Sequence, residues 1–147
     1  MTARKQSGKH MPRSICVDLN IIIDIVQQRD GWEGSSDCLE HAENVGIELC
    51  LPAHVVTTFG YLLQRFGVRK AHMYSQLNWL MGRFTVLPVS KKQLEQAIGA
   101  RWNDFEDAVV AQSAVAADCD YIVTRNTKDF QASTIPVVSP EELLQIT

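Results

Sequence analysis

Asp107 lies in Asn103-Asp104-Phe105-Glu106-Asp107-Ala108, an acidic string that opens an apolar, Ala-rich helix. Two other segments are built to meet it. Ile15-Cys16-Val17-Asp18 is a short apolar strand ending in a carboxylate. Tyr121-Ile122-Val123-Thr124-Arg125-Asn126 is another strand, running on into Thr127-Lys128-Asp129-Phe130. Carboxylates far apart in sequence but carried by strand ends and a helix start can converge on folding. Such acids repel one another unless a cation sits among them, and the usual cation is a divalent metal. The chemistry this pattern could serve is metal-dependent hydrolysis of phosphodiesters.

Each piece also has an ordinary structural use. Asp104 with Asp107, or Asn103 with Glu106, fits an N-cap and its partner three residues on, and acids in a first turn suit the helix dipole. Asp18 could begin a turn whose Asn20 caps the next helix, and Asp129 could end the loop after its strand. Asp24, one or two turns into that first helix, reads as solvent-exposed. Specificity comes from the three segments together, in this order and at these intervals.

The elements that must position these residues are legible from periodicity and punctuation. Strands are expected over 15–18, 47–51, 84–89, 121–124 and 135–138. Helices are expected over 21–28, 32–44, 53–66, 68–81, 91–100, 104–117 and from Ser139 onward. Gly46, Gly67 and Gly82 serve as stops, Pro52 ends a strand, and Ser90 is an N-cap. Ser139-Pro140-Glu141-Glu142 is an N-cap, a first-position Pro and an acidic first turn. Strands alternating with helices imply an α/β fold with a parallel sheet covered on both faces. In such sheets ligands sit beyond the carboxyl ends of strands at the topological switch point. If the strands ending at Asp18 and Thr124 are neighbours, their terminal side chains face one crevice there.

The 147 residues make one domain, 15–147, preceded by a basic tail, 1–14, expected to be disordered. A hydrophobic fraction of 46% with 21% charged residues is that of a globular protein. A formal charge of −3 gives no global field for nucleic acid, so a polyanion would have to be held locally. No apolar run approaches the ~20 residues of a membrane span, and residues 1–14 lack the apolar stretch of a secretory signal. The four cysteines (16, 38, 50, 119) form no C-x-x-C pair and the four histidines no ligand spacing, so buried, reduced thiols are expected.

Val17-Asp18-Leu19-Asn20, Asp104-Phe105-Glu106-Asp107-Ala108 and Val123-Thr124-Arg125-Asn126-Thr127-Lys128-Asp129-Phe130 together resemble the motifs of the PIN domain (PilT N-terminus) family, including its VapC-like toxin ribonucleases. The likeness runs from about Ile15 to Ile146 and includes a final strand and helix over residues 135–142. It implies a three-layer α/β/α sandwich and Mg2+- or Mn2+-dependent cleavage of RNA. It further implies a cytoplasmic, dimeric toxin inhibited by a small protein antitoxin. Carried over by position, Asp18 is the first acid and Asp107 the third. Asn126 falls where many members place the fourth, Asp129 lies three residues on, and Asp104 is an extra acid. Asp18, Asp107 and Asp104 are then the expected metal ligands and Asp129 a further catalytic candidate. Thr124, Arg125, Asn126 and Lys128 are expected to bind substrate, and Trp102 either stacks on a base or packs against the helix start.

One departure stands out. The family's second acid is a Glu after the second strand, and here Thr58 stands at that place, with no carboxylate in residues 51–61. That leaves an alternative, a degenerate PIN-like domain that binds RNA or a protein partner without catalysis. A phospho-acceptor receiver domain would need an acidic pair after the first strand, and an Asp phosphatase would need Asp at position 20. Asp18-Leu19-Asn20 meets neither requirement.

Overall fold

The computed structural model describes residues 11–147. The expected basic tail lies mostly outside them, and Ser14, placed at its end, is the first residue of the first strand. Five strands form one parallel sheet: β1 (Ser14–Val17), β2 (Glu48–Pro52), β3 (Thr85–Leu87), β4 (Tyr121–Val123) and β5 (Val137–Val138), in the order β3-β2-β1-β4-β5. Ile15, Cys16 and Val17 are all fully buried. Successive strand side chains point to opposite faces, so burial of all three requires helices on both, giving the α/β/α arrangement. The chain steps outward from β1 to β3 and then returns to the other side of β1 as β4. The switch point therefore lies between β1 and β4, which pair Ile15 with Tyr121 and Val17 with Val123.

The helices are α1 (Leu19–Gln27), α2 (Trp32–Asn44), α3 (Ala53–Arg65), α4 (Lys70–Arg83), α5 (Lys91–Ala100), α6 (Phe105–Ala116) and α7 (Pro140–Ile146). Capping boxes start α5 (Ser90 with Gln93) and α7 (Ser139 with Glu142). Gly46 and Gly67, at φ +84° and +78°, close α2 and α3 as expected of a residue without Cβ. Gly82 does not stop α4, which continues to Arg83. Its backbone stays helical, a Cβ there would meet nothing within 4 Å, and glycine's cost in a helix is only about 1 kcal/mol. Strand ends moved similarly. The third strand is confined to 85–87 and the last to 137–138, while Pro52 belongs to β2 as its final residue. Thr127–Phe130, expected as loop, winds into a single 3-10 turn that buries Phe130. The four cysteines are buried free thiols, and among the described residues no helix is long and apolar enough to cross a membrane.

Candidate active site

Asp18 follows β1 and stands as N-cap of α1, only 4% exposed. Its amide continues the β1–β4 ladder by donating to the Val123 carbonyl at 2.9 Å. On the neighbouring strand end, the fully buried Thr124 donates its hydroxyl hydrogen to Asp18 Oδ2 at 2.7 Å. Thr124 Oγ1 in turn accepts the Asn126 amide at 3.0 Å. Two adjacent strand ends therefore fix one carboxylate, at the switch point that strand alternation implied.

α6 brings the other acids. Asp104 is its N-cap, and its Oδ1 accepts the Asp107 amide at 3.0 Å. The capping reading of this pair is therefore correct, and it leaves Asp104 exposed with one oxygen engaged locally. Asp107, half-buried one turn in, has its pKa pushed up to about 7. Burial is the largest cause, followed by the charges of Asp18, Asp104, Asp129 and Glu106. Asp18 is pushed up to about 6, again chiefly by burial. The Thr124 hydrogen bond and the amides of Leu19 and Asn20 oppose that rise, although neither amide closes a capping hydrogen bond.

Glu106 was not anticipated as a site residue. Thr58, on α3, has its hydroxyl 3.1 Å from the His54 carbonyl and 3.3 Å from Glu106 Oε2, two acceptors that share its one hydrogen. Glu106 is close enough to Asp18 and Asp107 to raise both. Thr58 of α3 thus stands against a carboxylate carried by α6. Beside it, both ring nitrogens of His54 are shut from solvent with no hydrogen-bond partner. Burial lowers the His54 pKa, against the pull of Glu106.

Arg125 requires a correction. It does not face the acids with the phosphate-binding role expected of it. Its side chain leaves the strand end on the side opposite to Thr124, as alternation dictates. There Nε meets Ser35 Oγ at 3.0 Å, Nη1 meets Glu141 at 2.9 Å and Nη2 meets the Gly31 carbonyl at 2.6 Å. Asp24, read from sequence as exposed, lies 3.9 Å away with its side chain only 14% exposed. Gly31 and Gly34 make room: a Cβ on either would come within 3.3 Å of the guanidinium. Asn126, Lys128 and Asp129 remain exposed around the 3-10 turn. Lys128, Asp129, Asp104 and Trp102 line a cavity of about 330 Å³ next to the acids. Trp102 packs edge-on against Phe130, ring centroids 5.8 Å apart at 86°.

The donor set suits a hard divalent cation: oxygen ligands whose pKa values are raised chiefly by burial and further by neighbouring acids, with no Lys or Arg ion-paired to them among the described residues. No three His, Cys, Asp or Glu side chains there stand in ligating geometry. Mg2+ keeps several waters and needs only one or two carboxylates, and Asp18 and Asp107 would be the residues to hold it.

A protein-family profile described as PIN domain matches residues 14–128. No curated protein matches the sequence. Among solved structures, VapBC2 from Rickettsia felis, bound to a DNA fragment from its promoter, superposes with a TM-score of 0.69 at 16% identity, covering 86% of this chain and 98% of that one. A toxin–antitoxin complex from Klebsiella pneumoniae gives 0.63 at 21%, covering 86% and 97%. PAE2754 from Pyrobaculum aerophilum gives 0.60 at 21%, covering 90% and 88%. At these identities the likeness is one of fold.

Proposed function

The chain belongs to the PIN domain family, and we propose that it is a Mg2+- or Mn2+-dependent endoribonuclease, the toxin of a bacterial toxin–antitoxin pair. On this reading it acts in the cytoplasm as a homodimer restrained by a small protein antitoxin. The observation that supports the enzymatic part is the approach of Asp107 to Asp18 at the β1–β4 switch point, where burial and then the charge of Asp18 raise the Asp107 pKa. The neighbouring toxin–antitoxin complexes support the biological part through shared fold.

A cation held by Asp18 and Asp107 would supply an acidified water and would neutralise charge on the attacked phosphate. The chain's own residues do the rest. Thr124 orients Asp18 by its short hydrogen bond, and its burial keeps water out of that contact. Asp107, in the first turn of α6, has its charge favoured by the helix amides. Glu106, held by Thr58, adds negative potential from the third side. Asn126 and Lys128, both exposed beside the acids, are placed to hydrogen-bond and to pair with the phosphate backbone. Incubating the purified protein with mixed RNA, with Mg2+ or Mn2+ and with EDTA, tests this. Cleavage in the metal arms alone is expected, and none in any arm sinks the enzymatic reading.

One observation favours the alternative, an RNA- or protein-binding domain without catalysis: Thr58 and Asn126 are neutral where acids are expected, and no three-ligand set is assembled. Calorimetric titration with Mn2+ separates the two, since a binding module has no need of the ion.

A further inference from the structure

We propose that the cavity beside the acidic site seats one unpaired nucleobase of the bound RNA, stacked on Trp102 and read by Asp104 and Asp129; this rests on the ribonuclease reading above. At about 330 Å³ it sits at the small end of the ~300–1,000 Å³ typical of ligand pockets, which suits one nucleotide unit and nothing longer. Its charged lining is Arg101, Lys128, Asp104 and Asp129, two cations against two anions, so it is not a phosphate pocket. A neutral, planar group with hydrogen-bond donors is what such a lining accommodates.

Trp102 gives that group a platform. The indole is half-buried, and its edge-on contact with Phe130 sets the plane of the ring before any ligand arrives. Its N–H has no hydrogen-bond partner among the described residues. Base stacking on such a ring tolerates any sequence, because every base has a π face. Discrimination falls to the carboxylates. Asp104 keeps Oδ2 free, since the Asp107 amide occupies Oδ1, and Asp129 is exposed at the cavity wall. Ionised carboxylates only accept, so they favour the amino groups of cytosine, adenine and guanine over uracil, which has none. Arg101, held at the left-handed φ of +59° between α5 and α6, and Lys128 are exposed at the mouth without an ion-pair partner among the described residues. They are placed for the phosphates on either side of the seated base. The cavity shares Asp104 and Asp129 with the acidic cluster, so a base held here leaves its own backbone beside Asp18 and Asp107.

The test uses the full chain carrying Asp18→Asn, which leaves RNA uncut, and fluorescence anisotropy with short labelled oligomers of A, C and U. Adding Trp102→Leu should weaken oligo(A) binding by about five- to hundredfold, the loss of one stacked base, while Trp102→Phe keeps most of it. Asp129→Asn should narrow the preference of oligo(C) over oligo(U). Should Trp102→Leu fail to fold, the doubly substituted Arg101→Ala/Lys128→Ala protein, altered only at exposed side chains, must still bind all three oligomers more weakly with a shallower salt dependence. Unchanged affinity in the variants, with RNA cleavage by the wild-type chain intact, overturns the pocket and leaves the nuclease standing. A wild-type chain that neither cuts nor binds RNA overturns both.

Discussion

Two groups of carboxylates flank the end of β4, and the chain treats them in opposite ways. On one side Asp24 and Glu141 face Arg125, which hydrogen-bonds Glu141 and ties α2, α7 and the strand end together. Burial works to raise Glu141, yet the Arg125 hydrogen bond holds its pKa below the ordinary value. Asp24 stays raised by burial, with Arg29 and Arg125 pulling it down. On the other side Asp18, Asp107, Glu106, Asp104 and Asp129 gather with no Lys or Arg ion-paired to them among the described residues, and the two most enclosed are pushed to about 6 and 7. One cluster is neutralised by a side chain of the chain itself. The other has no such partner among the described residues, and on the proposed function an exchangeable cation takes that role.

The sharpest break of this contrast is Asp18→Asn or Asp107→Asn. Either should bring metal-dependent RNA cleavage to background. The metal-free Asp107→Asn protein should nevertheless melt higher than the wild type at pH 8, because a repelling charge has gone. A lower melting temperature there would mean that the acids are not in conflict. Removing the charge at the centre of the neutralised cluster acts the other way: Arg125→Leu should cost about 1–3 kcal/mol of stability, the worth of charged hydrogen bonds that are partly solvated. Its metal dependence should be unaltered, which thermal melts with and without Mn2+ would check.

pH sharpens the contrast next. A carboxylate whose folded pKa lies above its unfolded value binds more protons when folded, so stability falls as pH rises. For Asp107 and Asp18 that window runs from about 4 to about 7. The metal-free melting temperature should decline across it, and added Mn2+ should recover the loss at pH 8 far more than at pH 5. A flat metal-free profile would refute the raised pKa values of the two buried acids. Thr124→Val removes the hydrogen bond that lowers Asp18, so the acid limb of the activity profile should move to higher pH. Smallest of all, Thr58→Val frees Glu106 from a 3.3 Å contact. It should change metal affinity only a few-fold, within the roughly 1 kcal/mol of a neutral donor's hydrogen bond.

Much of this was legible in the sequence, for physical reasons that differ by residue. Residues 15–17 and 121–123 declared buried strands through unbroken apolar runs, and the N-cap residues Ser90 and Ser139 marked their helices. Asp18 and Asp107 stood out because strand ends and helix starts are where a parallel sheet collects ligands. Arg125 was misplaced because adjacency in sequence to Thr124 suggested a shared direction, whereas alternation separates them. Its partners, Gly31, Ser35 and Glu141, come from three distant elements and become visible only in three dimensions. Glu106 hid behind its capping reading for the same reason: its meeting with Thr58 joins two helices that no periodicity relates.

The Thr124 hydroxyl gives its one hydrogen to Asp18 Oδ2 while its oxygen accepts the Asn126 amide. One buried side chain thereby joins the carboxylate at the end of β1 to the backbone of the loop after β4. A displacement of that loop is carried to the carboxylate through a single hydroxyl group.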